Sequence, residues 1–452
     1  MINTEYLWLN PERGCKYRTI LVKQRLDRKK IAFRRLILLF RRQFIRAKHF
    51  HISHLVSRYF CKWMTDFTDK LLEWYHANAR DFPFRRTTDP YLIWLSEIIM
   101  QQTRIEQGVP YYNKLIKVFP TVYELAEASE EEVLKQWQGL GYYTRARNLH
   151  STANEIVGKY GGRFPETYEN LRSLKGVGDY TAASIASVCF GLPHPVMDGN
   201  VIRFVTRHFG IKGSIGLSDT KKKILEVLNG LMGDCDDAGY KMQNFPHPTS
   251  RIPHQREALH PASRISAKRV IPHPTSGTFN QAMIEFGATC CKPRNPDCPK
   301  CIFNPTCYAY KHDMVGKLPL KKQPRQLKPR YFHYLAIRAK GKKGLYFRKR
   351  EGNDIWKGLY EFPLIETSKA VTLPKLMNSP EWQKLFGKAE IKILDRTGPI
   401  HHLLSHQKII ANFYKLEIGK PSERFGNLIR PQKIHELPVA RILEKYLDNV
   451  IT

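Results

Sequence analysis

The densest chemistry in the sequence lies in four cysteines near residue 300, at Cys291, Cys298, Cys301 and Cys307. Four thiolates within so short a segment can bind a tetrahedral zinc ion or a [4Fe–4S] cluster, and the spacing alone does not separate the two. Cys290 stands beside this set but out of step with it, so we interpret it as a packed or free thiol. The chain has nine cysteines, an odd number, and their clustering favours a metal or cluster site over a disulfide framework.

Two carboxylates stand in settings that could support acid–base chemistry. Glu97 lies among apolar residues of a predicted helix, where burial would raise its pKa and keep a proton available near neutral pH. Asp198 follows a short apolar run at the start of another predicted helix, where it could equally serve only as the N-cap. Together they could act as general acid and stabilising anion in cleaving a glycosidic bond through an oxocarbenium-like state.

A third candidate is the turn Gly176-Val177-Gly178, which directly precedes a helix of small residues. Such a turn can present backbone N–H groups to a phosphate at the helix N-terminus. The same glycines would also suit a tight turn between two packed helices, so the motif alone leaves both interpretations open.

Helical periodicity dominates the chain after residue 63 and returns just before the cysteines. We predict a mainly α-helical domain formed by residues 64–237 and 278–310. Its first helix is predicted to start near Met64, because a threonine and an aspartate directly after Met64 could serve as the N-cap. Residues 238–277 interrupt this domain with a stretch rich in proline and histidine, which we interpret as a flexible insertion. The spacing of its histidines is not typical of metal ligands.

The last third of the chain has a different hydrophobic period. A basic, proline-containing linker is predicted over residues 311–330, and residues 331–452 are predicted to form a separate α+β domain. Its β-like runs cover residues 331–338, 344–348 and 409–418, and a helical segment covers residues 373–386.

The charge of the chain points to its class of partner. Lys and Arg number 74 against 41 acidic residues, and the formal net charge of +33 is typical of a polyanion-binding protein. Nucleic acid is the leading partner, although charge alone would also fit an anionic membrane surface or a solvated basic surface. No apolar run approaches the roughly 18 residues of a membrane-spanning helix. At 452 residues, the chain is long enough for two or three domains.

Residues 1–63 form a basic N-terminal extension with few acidic residues. Three interpretations fit this composition: a start codon assigned too early, a disordered nucleic-acid-binding tail, and a transit peptide. Composition does not choose between them.

The order of these motifs resembles that of the helix-hairpin-helix glycosylases of the endonuclease III superfamily. Within that superfamily the sequence is most similar to the MutY family of adenine DNA glycosylases. The resemblance covers nearly everything from Met64 to the C-terminus except the predicted insertion. The matching segments are 94–97 with 101–103, 139–148, 176–178, 198–200, 279–283 and the four cysteines.

The resemblance implies a monofunctional glycosylase that hydrolyses the N-glycosidic bond of adenine mispaired with 8-oxoguanine or guanine, which initiates base excision repair. It implies that Glu97 protonates adenine at N7 and that Asp198 stabilises or transiently captures the sugar cation, with Tyr180 and Asn200 assisting. Tyr180 stands where related bifunctional enzymes have a lysine nucleophile, so a Schiff-base donor is not evident.

The resemblance also implies contacts to the base and the DNA backbone. Arg85, Gln281 and Glu285 match positions that hold the extruded adenine, and Glu285 lies one helical turn after Gln281. The turn 176–178 matches the hairpin that contacts phosphates. The four cysteines match the ligands of a [4Fe–4S] cluster, which is the implied cofactor.

Another set of matching positions probes the opposite strand, at Gln101, Thr103, Leu140 and Tyr142. Tyr142 would be the wedge beside 8-oxoguanine. Without the resemblance, an aromatic residue in a glycine-rich turn could equally be a core anchor. Phe84 departs from the family, which usually has tryptophan there.

The C-terminal domain resembles the Nudix-like domain with which the family recognises 8-oxoguanine. It lacks the glutamate-rich helix of Nudix hydrolases, so we expect it to bind rather than to hydrolyse. Ser405 and His406 match polar contacts to the lesion, whereas Leu404 replaces a phenylalanine.

The expected architecture is therefore a mainly α helix-hairpin-helix glycosylase domain with an iron–sulfur module, followed by an α+β Nudix-like domain. The expected partner is double-stranded DNA with A:8-oxoguanine or A:G mispairs, bound by a monomer without a membrane partner. We expect a cytoplasmic, nucleoid-associated protein in a bacterium, or a nuclear or mitochondrial one in a eukaryote. The rivals are a glycosylase/lyase for oxidised pyrimidines, disfavoured by Tyr180 and the C-terminal domain, and an inactive lesion binder, disfavoured by Glu97 and Asp198.

Overall fold

The computed structural model describes residues 50–232, 276–320 and 327–450. Residues 1–49 of the predicted N-terminal extension, 238–275 of the predicted insertion and 321–326 of the predicted linker lie outside the described residues. Residues 66–234 and 243–452 belong to one compact unit, which contains both domains described below. Of the other unit, residues 1–65 and 235–242, only the helical residues 50–65 are described.

The described residues before 320 form a helical domain, as predicted. In the part of the chain that the structure describes, no helix is long and apolar enough to cross a membrane. The helices are α1 Phe50–Asn78, α2 Pro90–Met100, α3 Ile105–Val118, α4 Val122–Glu127, α5 Glu130–Trp137, α6 Thr144–Tyr160, α7 Tyr168–Ser173, α8 Asp179–Phe190, α9 Gly199–Phe209, α10 Ser218–Met232, α11 Ser276–Thr289 and α12 Tyr308–Lys311.

The start of α1 differs from the prediction. The helix begins at Phe50 rather than near Met64, so Thr65 and Asp66 lie inside the helix and do not cap it. Residues 50–63 contain neither glycine nor proline, and nothing in this segment interrupts a helix that continues into Met64.

Local sequence fixes the start of the helix that carries Glu97. Asp89 is the N-cap of α2, and its Oδ1 accepts the N–H groups of Tyr91 at 2.8 Å and Leu92 at 3.4 Å. Pro90 occupies the first helical position, where its missing N–H costs no hydrogen bond. Buried Trp94, Ile98 and neighbouring residues then anchor α2 in the core of the domain.

The residues after 327 form the predicted α+β domain. Its strands make a four-stranded sheet in the order β4-β1-β6-β5 and a three-stranded sheet in the order β3-β2-β7. Strands β1 and β6 run parallel, whereas β5 and β6 form an antiparallel hairpin. The elements are β1 Lys328–Ala339, β2 Leu345–Lys349, β3 Tyr360–Glu361, β4 Leu364–Thr367, α13 Leu373–Met377, α14 Pro380–Phe386, β5 Ile391–Leu403, β6 Gln407–Ile418, β7 Asn427–Ile429, α15 Pro431–Ile434 and α16 Arg441–Val450.

The helical segment predicted over residues 373–386 is two short helices. The first ends at Met377 with Asn378 as its C-cap. Ser379 caps the second, since its side chain accepts the N–H of Trp382 at 3.2 Å. Pro380 follows at the first position of α14, so the break has a local cause in the sequence.

Candidate active site

Three helices bring the two predicted carboxylates into one site. Glu97 projects from α2, Asp198 is the N-cap of α9, and Tyr180 lies in the first turn of α8. The Ser184 Oγ donates a hydrogen bond to Glu97 Oε1 at 2.6 Å, and the Tyr180 hydroxyl also hydrogen-bonds to Glu97. The structure thus brings Glu97 and Asp198 into one site, and their roles as acid and anion stay a prediction.

Burial decides the protonation state of Glu97. Desolvation raises the pKa of Glu97, and the negative charge of Asp198 raises it further, while hydrogen bonds from Ser184 and Tyr180 and the charge of Arg85 oppose the shift. The net result is a pKa above the ordinary value of 4.5. Glu97 is thus suited to hold a proton and donate it.

Asp198 is arranged to carry the negative charge of the pair. Its Oδ1 accepts the backbone N–H groups of Asn200 at 2.9 Å and Val201 at 2.7 Å, and its Oδ2 accepts the side-chain amide of Asn200 at 2.7 Å. Burial raises the pKa of Asp198 above its usual value of 3.8, and these donors and the charge of Arg203 offset only part of that shift. Three N–H donors at the start of α9 stabilise the ionised carboxylate.

Tyr180 lies close to both carboxylates. Burial and then the charges of Glu97 and Asp198 raise the pKa of Tyr180 well above its usual range, so its hydroxyl remains a neutral donor. The chemistry available here is proton donation from Glu97 next to a fixed anion at Asp198.

The residues predicted to hold the extruded base lie beside this pair. Arg85 Nη2 donates to Glu285 Oε2 at 2.7 Å, and the Arg85 guanidinium lies 5.8 Å from the centroid of the Tyr75 ring. The Tyr75 hydroxyl donates to Gln281 Oε1 at 2.9 Å. The structure therefore brings Arg85, Gln281 and Glu285 into one cluster, and their contact with an extruded base stays a prediction.

The carboxylate of Glu285 is already hydrogen-bonded to arginine side chains of the protein. Its fully buried side chain also accepts from Arg80 Nε at 2.6 Å and Arg80 Nη2 at 3.1 Å. These hydrogen bonds lower the pKa of Glu285 against the effect of burial. A carboxylate held by two arginines is a rigid support that orients Arg85 toward the site.

The residues predicted to probe the opposite strand lie on two turns that meet at Arg145. Its Nη1 donates to the carbonyl oxygens of Ile98 at 2.8 Å, Ile99 at 2.8 Å and Gln101 at 2.7 Å. Its Nη2 donates to Thr103 Oγ1 at 3.2 Å and to the carbonyl oxygens of two further residues, Leu140 at 3.5 Å and Gly141 at 3.3 Å.

Tyr142 is displayed at the tip of the second turn. Its side chain is 42% exposed, whereas Leu140 and Tyr143 beside it are buried. Tyr142 and Gln102 both have positive φ, 49° and 55°, a conformation that costs non-glycine residues about 1–3 kcal/mol and that clusters at functional sites. An exposed ring on a fixed turn fits the predicted wedge better than a core anchor.

The predicted phosphate-binding hairpin connects α7 to α8. Gly176 has φ +79°, and a Cβ there would lie 2.8 Å from Asn148 Cβ, so the position requires glycine. Val177 is buried and its N–H donates to the Leu174 carbonyl oxygen at 3.1 Å, so this amide is engaged within the turn. Gly178, the N-cap of α8, faces open space. Phosphate binding at this helix start stays a prediction.

The four predicted cluster ligands line one cavity. Cys291, Cys298, Cys301 and Cys307 surround it together with Arg207, whose Nη1 lies 3.5 Å from Cys291 Sγ. In the described chain, no group of three or more cysteine, histidine or acidic residues is placed closely enough to hold a metal ion. The donor set and the neighbouring cation nevertheless fit a thiolate-ligated group, because a guanidinium offsets the negative charge of thiolates.

A chain of hydrogen bonds connects Asp198 to this cysteine segment. Asn200, which donates to Asp198, accepts from Arg203 Nη2 at 2.8 Å. Arg203 in turn donates through Nε to the Cys291 carbonyl oxygen at 2.7 Å and through Nη2 to the Gly287 carbonyl oxygen at 2.6 Å. The cysteine segment thus supports the residues that orient the anion.

The predicted lesion-contact loop is the turn between β5 and β6. Ser405 and His406 are exposed, and Ser405 Oγ lies 3.2 Å from His406 Nδ1. Leu404 packs against the core, whereas Leu403 is 68% exposed. The apolar side chain displayed beside the two polar residues is therefore Leu403 rather than Leu404.

Sequence reasoning missed three residues of the site. Ser184 lies four residues after Tyr180, so its place on the same face of α8 could have been inferred from the helical period. Arg80 and Arg145 gave no such signal, because their partners come from turns and from α11 that only the tertiary structure brings together.

Comparisons with known proteins support both domains. Residues 95–230 match the family model described as HhH-GPD superfamily base excision DNA repair protein, and residues 333–449 match the NUDIX domain. An adenine DNA glycosylase of Buchnera aphidicola subsp. Acyrthosiphon pisum is 28% identical over 394 residues, which are 85% of this chain and 98% of that protein. The adenine DNA glycosylase of Mus musculus is 27% identical over 407 residues, 79% of this chain and 72% of that protein.

One solved structure, that of a thermostable thymine-DNA glycosylase, is 26% identical and covers 56% of this chain and 98% of its own, with a TM-score of 0.43.

Proposed function

Because the chain belongs to the helix-hairpin-helix superfamily of base excision DNA repair proteins and is a DNA glycosylase, we propose that it removes adenine mispaired with 8-oxoguanine or guanine from duplex DNA. The observation that carries the proposal is the pairing of Glu97, whose pKa is raised by burial, with the hydrogen-bonded Asp198. The adenine DNA glycosylases among its relatives support adenine as the base.

The site supports hydrolysis by proton donation. Glu97 gives its proton to N7 of the flipped adenine, the C1′–N9 bond breaks, and its electron pair leaves with the base. Asp198, held by Asn200 and Val201, stabilises the positive charge that develops on the sugar. Water then adds to C1′ and returns a proton to Glu97, so the carboxyl group is regenerated.

Base excision without strand cleavage follows from the same residues. A glycosylase/lyase needs an amine nucleophile for its Schiff base, but the described groups that hydrogen-bond to the two carboxylates include no lysine. Tyr180 occupies the nearby position as a neutral hydroxyl, since its pKa lies well above its usual range. We therefore expect an abasic site as the product.

A [4Fe–4S] cluster is the group we assign to Cys291, Cys298, Cys301 and Cys307, which share one cavity with Arg207. When bound, it supplies a fixed charged centre that holds the segment rather than acting on the glycosidic bond. The Nudix-like domain is proposed to read 8-oxoguanine through Ser405 and His406, both exposed at the β5–β6 turn.

The test is single-turnover cleavage of a duplex with one adenine opposite 8-oxoguanine, scored with and without alkali. We expect alkali-dependent breaks at adenine only, and a loss of about 10²–10⁴-fold for Glu97→Gln. Asp198→Asn should lose about 10²–10³-fold, because asparagine keeps the N-cap but removes the charge.

Asp89→Asn is the matched control, since Asp89 caps α2 through the same kind of hydrogen bonds away from the two carboxylates. It should cleave at nearly the wild-type rate. Breaks without alkali, or breaks at oxidised pyrimidines and not at adenine, would identify the protein as a glycosylase/lyase instead. Lesion binding without any cleavage would identify an inactive binder.

A further inference from the structure

The turn of residues 138–143, between α5 and α6, carries Tyr142 and also contacts the C-terminal domain. Inside the helical domain, the Tyr111 hydroxyl donates to the Gln138 carbonyl oxygen at 2.7 Å, and Trp137 Nε1 donates to the Gly141 carbonyl oxygen at 3.1 Å. These bonds fix the path of the turn on one side. Its other side is closed by residues about 300 positions later in the chain.

Tyr143 is the buried joint between the turn and the C-terminal domain. Its hydroxyl accepts the N–H of Gly139 at 3.4 Å and donates to the Val439 carbonyl oxygen at 3.2 Å. Its ring belongs to the same hydrophobic core as Val439, Ala440 and Leu443. The residue next to the exposed Tyr142 is therefore bonded across the domain boundary.

Two polar side chains reinforce this joint. Gln138 Nε2 donates to Glu444 Oε1 at 3.0 Å. Lys135 Nζ donates to Gln138 Oε1 at 3.2 Å, to the Leu437 carbonyl oxygen at 3.2 Å and to the His435 carbonyl oxygen. The segment 435–444 therefore binds the turn at several points rather than at one.

A second contact leads from the same region to the β5–β6 turn. Arg147, at the start of α6, donates to the Lys357 carbonyl oxygen. The neighbouring Trp356 packs edge-on against His402, with ring centroids 5.8 Å apart. His402 lies three residues before Ser405, so both the exposed Tyr142 and the proposed lesion-contact loop are connected through this one interface.

We propose that Tyr143 is a positioning residue for specificity, which holds the Tyr142 turn in register with the β5–β6 turn so that both act on the same opposite-strand base. This inference rests on the proposed reading of 8-oxoguanine by the C-terminal domain. Excision of adenine opposite guanine does not depend on recognition of the lesion. A weaker contact between Tyr143 and the C-terminal domain should therefore slow this reaction less than it slows excision of adenine opposite 8-oxoguanine.

The experiment compares Tyr143→Phe with wild type in single-turnover cleavage of A:8-oxoguanine and A:G duplexes. The measured quantity is the ratio of the two rates. Losing one hydrogen bond of ordinary strength should lower this ratio about fivefold. Tyr123→Phe is the matched control, because the Tyr123 hydroxyl donates to a backbone carbonyl oxygen, that of Gly161 at 2.8 Å, within the helical domain.

Glu444→Ala is the second variant, since it removes the partner of Gln138 from a part-buried surface position and decides the matter if Tyr143→Phe does not fold. It should lower the ratio in the same direction. A ratio within twofold of wild type in folded variants, or an equal loss of both rates, would overturn the inference while the wild-type preference stands. A wild type that shows no preference for 8-oxoguanine would overturn the proposed lesion specificity itself, and the inference with it.

Discussion

Glu97 acquires its chemical role from its surroundings rather than from its residue type. Burial and the charge of Asp198 both favour its protonated form, whereas Asp198 accepts three N–H donors that favour its ionised form. The two carboxylates of one site are thus suited to the separate roles of acid and anion that we propose for them. The sequence could predict this division for Glu97, from its apolar neighbours, but only the fold shows Ser184 and Tyr180 as its hydrogen-bond partners.

The raised pKa of Glu97 makes a prediction about stability. A carboxyl group with a higher pKa in the folded state than in the unfolded state stabilises the fold when protonated, so stability is lost as pH rises from about 4.5 through the folded pKa. Glu97→Gln removes this titration but can still accept from Ser184. The melting temperature of the variant, minus that of wild type, should therefore increase between pH 4 and pH 8.

Titrating groups that do not interact with Glu97 are common to both proteins and cancel in this difference. Glu155→Gln, at an i,i+4 surface pair with Lys159, serves as the control and should show no such increase. A difference between Glu97→Gln and wild type that stays constant with pH would contradict a raised pKa for Glu97.

Arg145 organises two turns without any carboxylate partner among its described contacts. Its guanidinium donates to carbonyl oxygens of both turns and lies 5.1 Å from the Trp137 ring centroid. Burial lowers the pKa of Arg145 to about 10, so it remains charged at neutral pH. A planar fork can serve several acceptors in fixed directions, which a lysine ammonium cannot.

Arg145→Lys should therefore destabilise the protein by about 3 kcal/mol, because buried carbonyl groups lose their donors. It should also slow single-turnover cleavage of adenine about tenfold through misplaced Gln101 and Tyr142. Denaturant unfolding and cleavage kinetics would measure the two effects. Arg338→Lys, at a half-exposed pair with Glu417, is the control and should change stability by less than about 0.5 kcal/mol. A loss for Arg145→Lys no larger than for this control would refute the role.

Long strands with several buried apolar residues were predictable, whereas the equally long strand β5 was not. The strands β1, β2 and β6 were predicted because buried apolar residues recur along them. Strand β5, Ile391–Leu403, was missed because none of its residues is fully buried, so its sequence lacks a clear two-residue period. The predicted start of α1 near Met64 was also wrong. No helix breaker precedes Met64, but the lack of a breaker is not a positive sign of a helix in the way that a hydrophobic period is.

The arrangement of the two domains could not be predicted from the sequence. Lys135, Gln138 and Tyr143 have no pattern that points to residues 435–444, because their contacts cross about 300 positions of the chain. The resemblance led only to the prediction that one set of residues probes DNA and that another set reads the lesion. That both sets share one interface follows only from the packing of the C-terminal domain on α5 and α6.

The cysteine segment is connected to the candidate active site by hydrogen bonds. Residues 291–307 contain only one short 3-10 turn in the structure, Asn304–Thr306, so regular hydrogen bonding holds little of the segment. Its contact with Asp198 runs through Cys291, Arg203 and Asn200. Ligation by a cluster would replace the missing secondary structure as the source of rigidity.

Cys298→Ser should accordingly lower the iron content and the visible charge-transfer absorption of the purified protein, and lower its melting temperature by about 5 °C or more. Cys290→Ser is the matched control, because Cys290 lines the same cavity but lies outside the ligand spacing. It should keep both iron and absorption. Equal loss of iron in the two variants would contradict the ligand set, and bound zinc without iron would contradict the cluster. Loss of iron with unchanged adenine excision would show that the segment does not support Asp198.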